Sequence, residues 1–307
     1  MHAFSGRWKQ YSKARRVAGS RLDTVVIFGV GLIGGSFALG LKAAGAAKRV
    51  IGLGRNPANL ERALALGVID EACDDPAAVA GADLVLLATP VGQMSAVMRA
   101  IAPHLGPGTV VTDAGSTKQD VVALAYRLLK SRAAQFVPGH PIAGAEHSGV
   151  AAARADLYHE RRVVLTPLPE NSERSIRRVR AAWRICGARL YQMQPAEHDR
   201  VFAAVSHLPH LLSYALVDQV ARHPNGKQLF DYAAGGFRDF TRIASSHPEM
   251  WRDVCVANRK ALLAELTGYQ RELAEVKQLL QKGDAAGLEK IFTRARAARD
   301  KWLKKQQ

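Results

Sequence analysis

The stretch Gly29-Val30-Gly31-Leu32-Ile33-Gly34-Gly35-Ser36 follows a β-branched apolar run at 24–28 and leads into a small-residue helical pattern at 37–44. Strand, glycine turn of the form G-x-G-x-x-G, then helix is the context in which such glycines form a dinucleotide fingerprint rather than an ordinary turn. Gly29 permits the tight turn, Gly31 lets a pyrophosphate approach the backbone, and Gly34 lets helix and strand pack closely. Free amides at the helix start would face the phosphates, and Leu32 and Ile33 of the glycine turn are expected to bind the cofactor with the glycines. The expected fold is α/β, a Rossmann-type doubly wound parallel sheet, and the expected ligand is NAD or NADP.

The second strand of such a unit, expected at 49–53, ends where an NAD-binding protein places an acid against the ribose 2′-hydroxyl. Here the sequence reads Gly54-Arg55-Asn56-Pro57, with no carboxylate. Arg55 can grip a 2′-phosphate through its planar fork of donors, so NADP is the expected cofactor and NAD the alternative. The same residues also fit a solvated Arg55 ahead of a helix that Asn56 caps and Pro57 begins.

Around this unit, apolar runs at 85–88, 109–113, 135–137, 163–166 and 189–193 read as further strands of one parallel sheet, alternating with helical patterns at 56–67, 92–102, 117–131 and 172–186. Near Pro195 the alternation stops and everything downstream reads as helix, with breaks expected at Pro209, 223–226, 235–236 and His247-Pro248. The expected organisation is a basic arm at 1–22, a dinucleotide-binding domain at 23–193 and an all-α domain at 194–307. Within the last, Leu262, Leu266, Tyr269, Leu273, Val276 and Leu280 recur at steps of four and three, a stripe suited to another helix and hence to dimerisation.

The 307 residues carry a net charge of +16, and its placement limits its meaning. Residues 1–22 hold six Lys or Arg and no acid, and residues 259–307 hold twelve against six acids, so the body between is close to balanced. No helix-turn-helix, zinc-finger or aromatic RNA-binding signature accompanies the charge, so nucleic acid is not an expected partner. No apolar stretch is read as a membrane span and no secretory signal opens the chain. Cys73, Cys186 and Cys255 form no C-x-x-C pair and read as buried thiols of a cytoplasmic protein.

Four segments can carry chemistry. Ala88-Thr89-Pro90, 113–118 (D-A-G-S-T-K) and 139–144 (G-H-P-I-A-G) each follow a strand, where open α/β sheets hold their ligands, and 206–210 (S-H-L-P-H) lies in the first long downstream helix. Thr89 and Pro90 are expected beside the cofactor. His140, read as a loop residue, has an unperturbed pKa suited to proton abstraction near neutrality. Ser116 can bond that imidazole and fix its tautomer, or cap the helix after it. His207 and His210 stand one turn apart without a third ligand, so no metal is expected.

In this order, G-x-G-L-I-G-G-S, L-A-T-P-V, D-x-G-S-T-K, G-H-P-I-A-G, S-H-L-P-H and G-G-F-R-D-F-T-R-I-A resemble the prephenate and arogenate dehydrogenases of tyrosine biosynthesis, across residues 24–280. The resemblance implies oxidative decarboxylation of a cyclohexadienyl acid, with His140 accepting the C4 hydroxyl proton and Ser116 orienting it. It also implies a substrate carboxylate on Arg242, a pocket lined by Ser206, His207 and His210, and Glu146, His198 and Trp251 near the site. It further implies a homodimer through the helical domain. A cationic or donor imidazole at His210 would favour the oxo-acid side chain of prephenate over the ammonium of arogenate.

Overall fold

The computed structural model describes residues 21–145 and 147–304. The basic arm at 1–22 therefore lies almost wholly outside the described residues, as does Glu146. Six parallel strands form the main sheet: β1 (Leu22–Phe28), β2 (Ala47–Leu53), β3 (Glu71–Cys73), β4 (Leu84–Leu87), β5 (Val110–Asp113) and β6 (Phe136–Val137), in the order β3-β2-β1-β4-β5-β6. Val25 pairs with Val50 on one side and Leu84 on the other, and Phe28 with Leu53 and Leu87, so the carboxyl ends of β1, β2 and β4 stand level.

The central strands are apolar throughout because both sheet faces are covered. Val25 and Ile27 enter one core with Phe37 and Leu41 of α1 (Leu32–Ala43) and Val179 and Trp183 of α5 (Glu173–Ile185). Val26 and Phe28 enter the other, with Met94 and Met98 of α3 (Met94–Ile101) and Val121 and Ala125 of α4 (Gln119–Leu129). Helix α2 (Pro57–Ala65) starts as expected, Asn56 Oδ1 accepting the Asn59 amide, and ends before Gly67 in the left-handed region.

The expectation of one sheet up to residue 193 is overturned. β7 (Gly139–Ile142), β8 (Arg162–Leu165) and β9 (Arg189–Gln192) form a separate three-stranded sheet, β7 antiparallel to β8 and β8 parallel to β9. The chain leaves the first sheet at Pro138, which has no amide to continue the ladder, and its carbonyl accepts the Thr166 amide. His140 is accordingly a strand residue opposite Val164, not a loop residue. Strand β3 was not anticipated, since three residues are too few to show alternation.

Downstream, α6 (Pro195–Phe202) runs through a π-helical turn at Ala203–His207 into α7 (Leu208–Ala221). Pro209 does not break the helix as expected, because the wider π turn absorbs the proline's clash and missing donor. The continuous run Pro195–Ala221 contains an 18-residue window of mean hydropathy 1.2, long and apolar enough to cross a membrane by length and composition, contrary to the sequence expectation. It carries the buried polar residues His198, Asp199 and His207 within it, all hydrogen-bonded inside the protein.

Helices α8 (Gly226–Asp231), α9 (Gly235–Thr241) and α10 (Pro248–Ala257) follow, and Trp251 and Val254 of α10 enter the same core as α3 and α4. One compact unit therefore extends to Arg259, and a second begins at Lys260 with α11 (Arg259–Lys282) and α12 (Ala285–Lys304). In the second unit Leu273 and Leu280 are at least half exposed, as are Phe292 and Trp302. Of the cysteines only Cys186 is fully buried; Cys73 and Cys255 are half-buried, and all three are free thiols.

Candidate active site

The fingerprint glycines are held as the sequence requires. Gly29 has φ +91°, and a Cβ there would stand 2.6 Å from the Ala88 carbonyl oxygen. A Cβ at Gly34 would stand 2.2 Å from the Gly29 carbonyl, whereas one at Gly31 would meet nothing within 4 Å, leaving that side open for a ligand. Helix α1 has no acidic residue in its first turn and no side-chain cap on Gly31, so its leading amides are available to phosphate. Tyr158 Oη donates to the Ile33 carbonyl at 2.6 Å and pins this turn. The neighbouring Thr89 Oγ1 is buried with no partner among the described residues, a polar atom that a bound dinucleotide would satisfy. These features fit a nicotinamide dinucleotide. Arg55 is exposed at the end of β2, and a Cβ at Gly54 would make only ordinary contact, 3.7 Å from Leu60.

At the end of β5, Asp113 is fully buried and accepts from Lys118 Nζ, the Gly115 amide and the Gly139 amide, the last two at 2.8 and 2.9 Å. Burial pushes its carboxyl up while these donors pull it down. The bond to Gly139 fixes the residue before His140, so one carboxylate ties the D-A-G-S-T-K and G-H-P-I-A-G segments together.

His140 Nδ1 lies 2.8 Å from His198 Nε2, and His198 Nδ1 lies 2.8 Å from Asp199 Oδ1. Phe202 packs against both rings, with centroids at 4.9 and 4.5 Å. Asp199 also accepts the Lys118 amide at 2.8 Å and the Gln119 amide at 2.9 Å, so a carboxylate from α6 caps the start of α4. The expected cap, Ser116, does not serve, and α4 begins two residues later than the reading from 117. Burial holds both imidazoles well below their ordinary pKa; Lys118 and His207 push the same way on each, and His198 adds to the effect on His140.

The predicted bond from Ser116 to His140 is absent: His198 occupies the ring nitrogen that Ser116 was expected to orient. Ser116 is half-buried, and its backbone acts on the His207 ring in the direction that favours the charged form. His207 itself is fully enclosed, with Asn258 Nδ2 3.0 Å from its Nδ1, and burial lowers its pKa to about 4. Its Nε2 is buried without a hydrogen-bond partner among the described residues.

His210 Nδ1 donates to the Ser206 carbonyl at 2.8 Å, and its ring lies flat on Trp251 with centroids 3.5 Å apart. Burial lowers its pKa, with the Arg242 charge acting in the same direction. The donor role expected of His210 is thus already used by Ser206, and the neutral ring keeps a lone pair on Nε2. Arg242 is exposed at the end of α9 and within electrostatic reach of His210. Asn258 Nδ2 also donates to the Asp199 carbonyl at 2.8 Å, joining the His140 and His207 groups. His207 lies 6.1 Å from Trp251, centroid to centroid, which joins them in turn to His210. The described residues contain no cluster of three His, Cys, Asp or Glu arranged to hold a metal ion.

Residues 37–192 match the family described as prephenate dehydrogenase, nucleotide-binding domain, and residues 194–294 match prephenate dehydrogenase, dimerization domain. The chain belongs to the prephenate dehydrogenase family. It is 39% identical over 282 residues to the prephenate dehydrogenase of Bacillus subtilis (strain 168), covering 91% of this chain and 76% of that one. It is 34% identical over 278 residues to the cyclohexadienyl dehydrogenase of Zymomonas mobilis, covering 90% and 94%. Among solved structures, prephenate dehydrogenase from A. aeolicus in complex with hydroxyphenyl propionate and NAD+ superimposes with a TM-score of 0.85 at 35% identity, covering 91% of this chain and 98% of that one. Synechocystis arogenate dehydrogenase does so with 0.75 at 30%, covering 91% and 99%. Membership makes this chain an oxidoreductase with a nicotinamide-binding domain.

Within this family member, sequence reading found His140, Ser206, His210 and Trp251 in one neighbourhood but missed Asp113, Lys118, Asp199 and Asn258 as supporting groups. Their signal was present: charged or amide side chains on otherwise apolar elements have to find partners when buried. Which partners could not be read, because they lie up to 81 residues apart, as Lys118 and Asp199 do.

Proposed function

We propose that the chain catalyses the NAD(P)-dependent oxidative decarboxylation of prephenate to 4-hydroxyphenylpyruvate in tyrosine biosynthesis. The observation that carries the reading is His140, held by Asp113 through Gly139 at the carboxyl end of the sheet and hydrogen-bonded to the helical segment that bears Ser206 and His210. An imidazole kept neutral there is ready to accept a proton.

In the proposed reaction His140 accepts the proton of the substrate C4 hydroxyl through Nε2. When bound, the oxidised nicotinamide supplies the acceptor for the C4 hydride. Loss of the ring carboxylate as carbon dioxide returns its bond pair through the ring to the oxygen, which regains a proton and becomes a phenol. Arg242 binds a substrate carboxylate as a bidentate fork, with Ser116, Ser206 and His210 lining the pocket and Trp251 supporting His210. The amides of Leu32, Ile33 and Gly34, beside Gly29, Gly31, Thr89 and Pro90, would hold the phosphates of the dinucleotide.

NADP is the cofactor we propose, on Arg55 and the missing acid at Gly54, although the A. aeolicus relative was solved with NAD+. A second substrate, arogenate, is favoured by one observation: with Nδ1 of His210 donating to the Ser206 carbonyl, the neutral ring has a lone pair on Nε2 able to accept from an ammonium group. A homodimer through the helical region and a cytoplasmic location, in keeping with three free thiols, complete the proposal.

The test is reduced-cofactor absorbance with prephenate and arogenate, each with NAD and NADP. His140→Asn is expected to lower kcat by about 10² to 10⁴ while cofactor binding persists. An unchanged kcat in that variant rejects His140 as the base, and no turnover of either substrate rejects the reaction.

A further inference from the structure

Resting on that reading of His140, we infer that His198 and Asp199 are positioning residues: the chain Asp199–His198–His140 fixes the proton of His140 on Nδ1, so that its Nε2 presents a lone pair to the substrate. The argument begins at the far end. Asp199 is 2% exposed, and its two carboxylate oxygens accept the Lys118 and Gln119 amides, donors that can do nothing but donate. The carboxylate is therefore an acceptor, and the bond at 2.8 Å to His198 requires the proton of that ring on Nδ1. A neutral His198 then has only a lone pair on Nε2. The bond at 2.8 Å from there to His140 requires the proton of His140 on Nδ1 as well.

The consequence is that His140 has one possible neutral tautomer, and among the described residues its Nε2 has no hydrogen-bond partner inside the protein. That is the nitrogen a general base needs free. The Nδ1–H bond to His198, backed by the Asp199 carboxylate, stays made when His140 takes a proton on Nε2, so the ring keeps its orientation through the transfer. Tautomer control by a carboxylate behind an imidazole is the logic of hydrolase triads, here extended through a second imidazole. The Lys118–Asp113 pair, the Asn258 bond to the Asp199 carbonyl and the packing of Phe202 on both rings fix the chain in place.

The Asp199→Asn variant reverses the chain. Its amide keeps one oxygen for the α4 amides but can offer N–H to His198 Nδ1, which moves the proton of His198 to Nε2 and that of His140 to Nε2. The expected result is a kcat lower by about 10² to 10⁴ with an unchanged Kd for the cofactor. His198→Gln spans the same positions with an amide that donates to Asp199 and accepts from His140, so it is expected to retain far more activity than His198→Leu. In the wild-type protein ¹⁵N NMR of the His140 ring is expected to report protonation at Nδ1, and in Asp199→Asn at Nε2. Cofactor binding certifies that each variant is folded.

An Asp199→Asn variant with unchanged kcat, a Gln variant no better than Leu, or a wild-type His140 protonated on Nε2 would each overturn the inference. If instead His140→Asn is fully active, it is the assignment of the base that fails, a result distinct from any of these three.

Discussion

His140 and the groups around it make the case for the residue as a unit of design. An isolated histidine titrates near pH 6.5, and here burial, His198, Lys118 and His207 all disfavour the charged ring. The sign follows directly: a depressed pKa means the proton that disables the base is taken up only at lower pH. We expect kcat to be full above pH 6.5 and lost only as pH falls well below it, measured as the acid limb of the pH–rate profile. An acid limb at or above pH 6.5 contradicts the burial argument. The residue type was legible in the sequence, as His140 flanked by Gly139 and Pro141. Its partner was not, because Ser116 is 24 positions away and His198 is 58, and nothing local ranks the two.

Among the elements, β1 and β2 were readable to within two residues because their shape is set by local sterics, while α1 begins at Leu32, five residues before the helical pattern read at 37–44. Gly29 has positive φ, Gly34 touches backbone, and Asn56 caps α2. The end of β2 is where cofactor choice is expected to reside. Arg55→Ala should raise KM for NADP by about tenfold to a hundredfold, the worth of one or two hydrogen bonds to a charged group, with little change for NAD. Gly54→Asp, for which there is space, should move the preference toward NAD by repelling a 2′-phosphate. Equal effects of Arg55→Ala on both cofactors would remove that role. By contrast, β7, β8 and β9 have strand composition but gave no local sign that they form their own sheet, and α7 continues past Pro209 only because a π turn precedes it.

For the whole molecule, α11 carries the Leu262–Leu280 stripe and leaves Leu273 half exposed and Leu280 63% exposed in a single chain. In a family whose matching region is described as a dimerization domain, that surface is the expected contact with a second copy. Leu273→Glu combined with Leu280→Glu should halve the mass measured by light scattering, since two charges would be buried unpaired. A mass of two chains in that variant would exclude the stripe as the interface. The sequence by itself determined the nucleotide fold and the order of its strands and helices up to β6 apart from the short β3, and it put forward His140 as the candidate base, since periodicity, glycine sterics and motif order are properties of neighbouring residues. Only the tertiary structure decided which imidazole stands behind His140, which carboxylate caps α4 and which sheet β7 joins. Each of these depends on buried polar groups finding partners from distant parts of the chain, and the energy of leaving them unpaired is a property of the assembled fold.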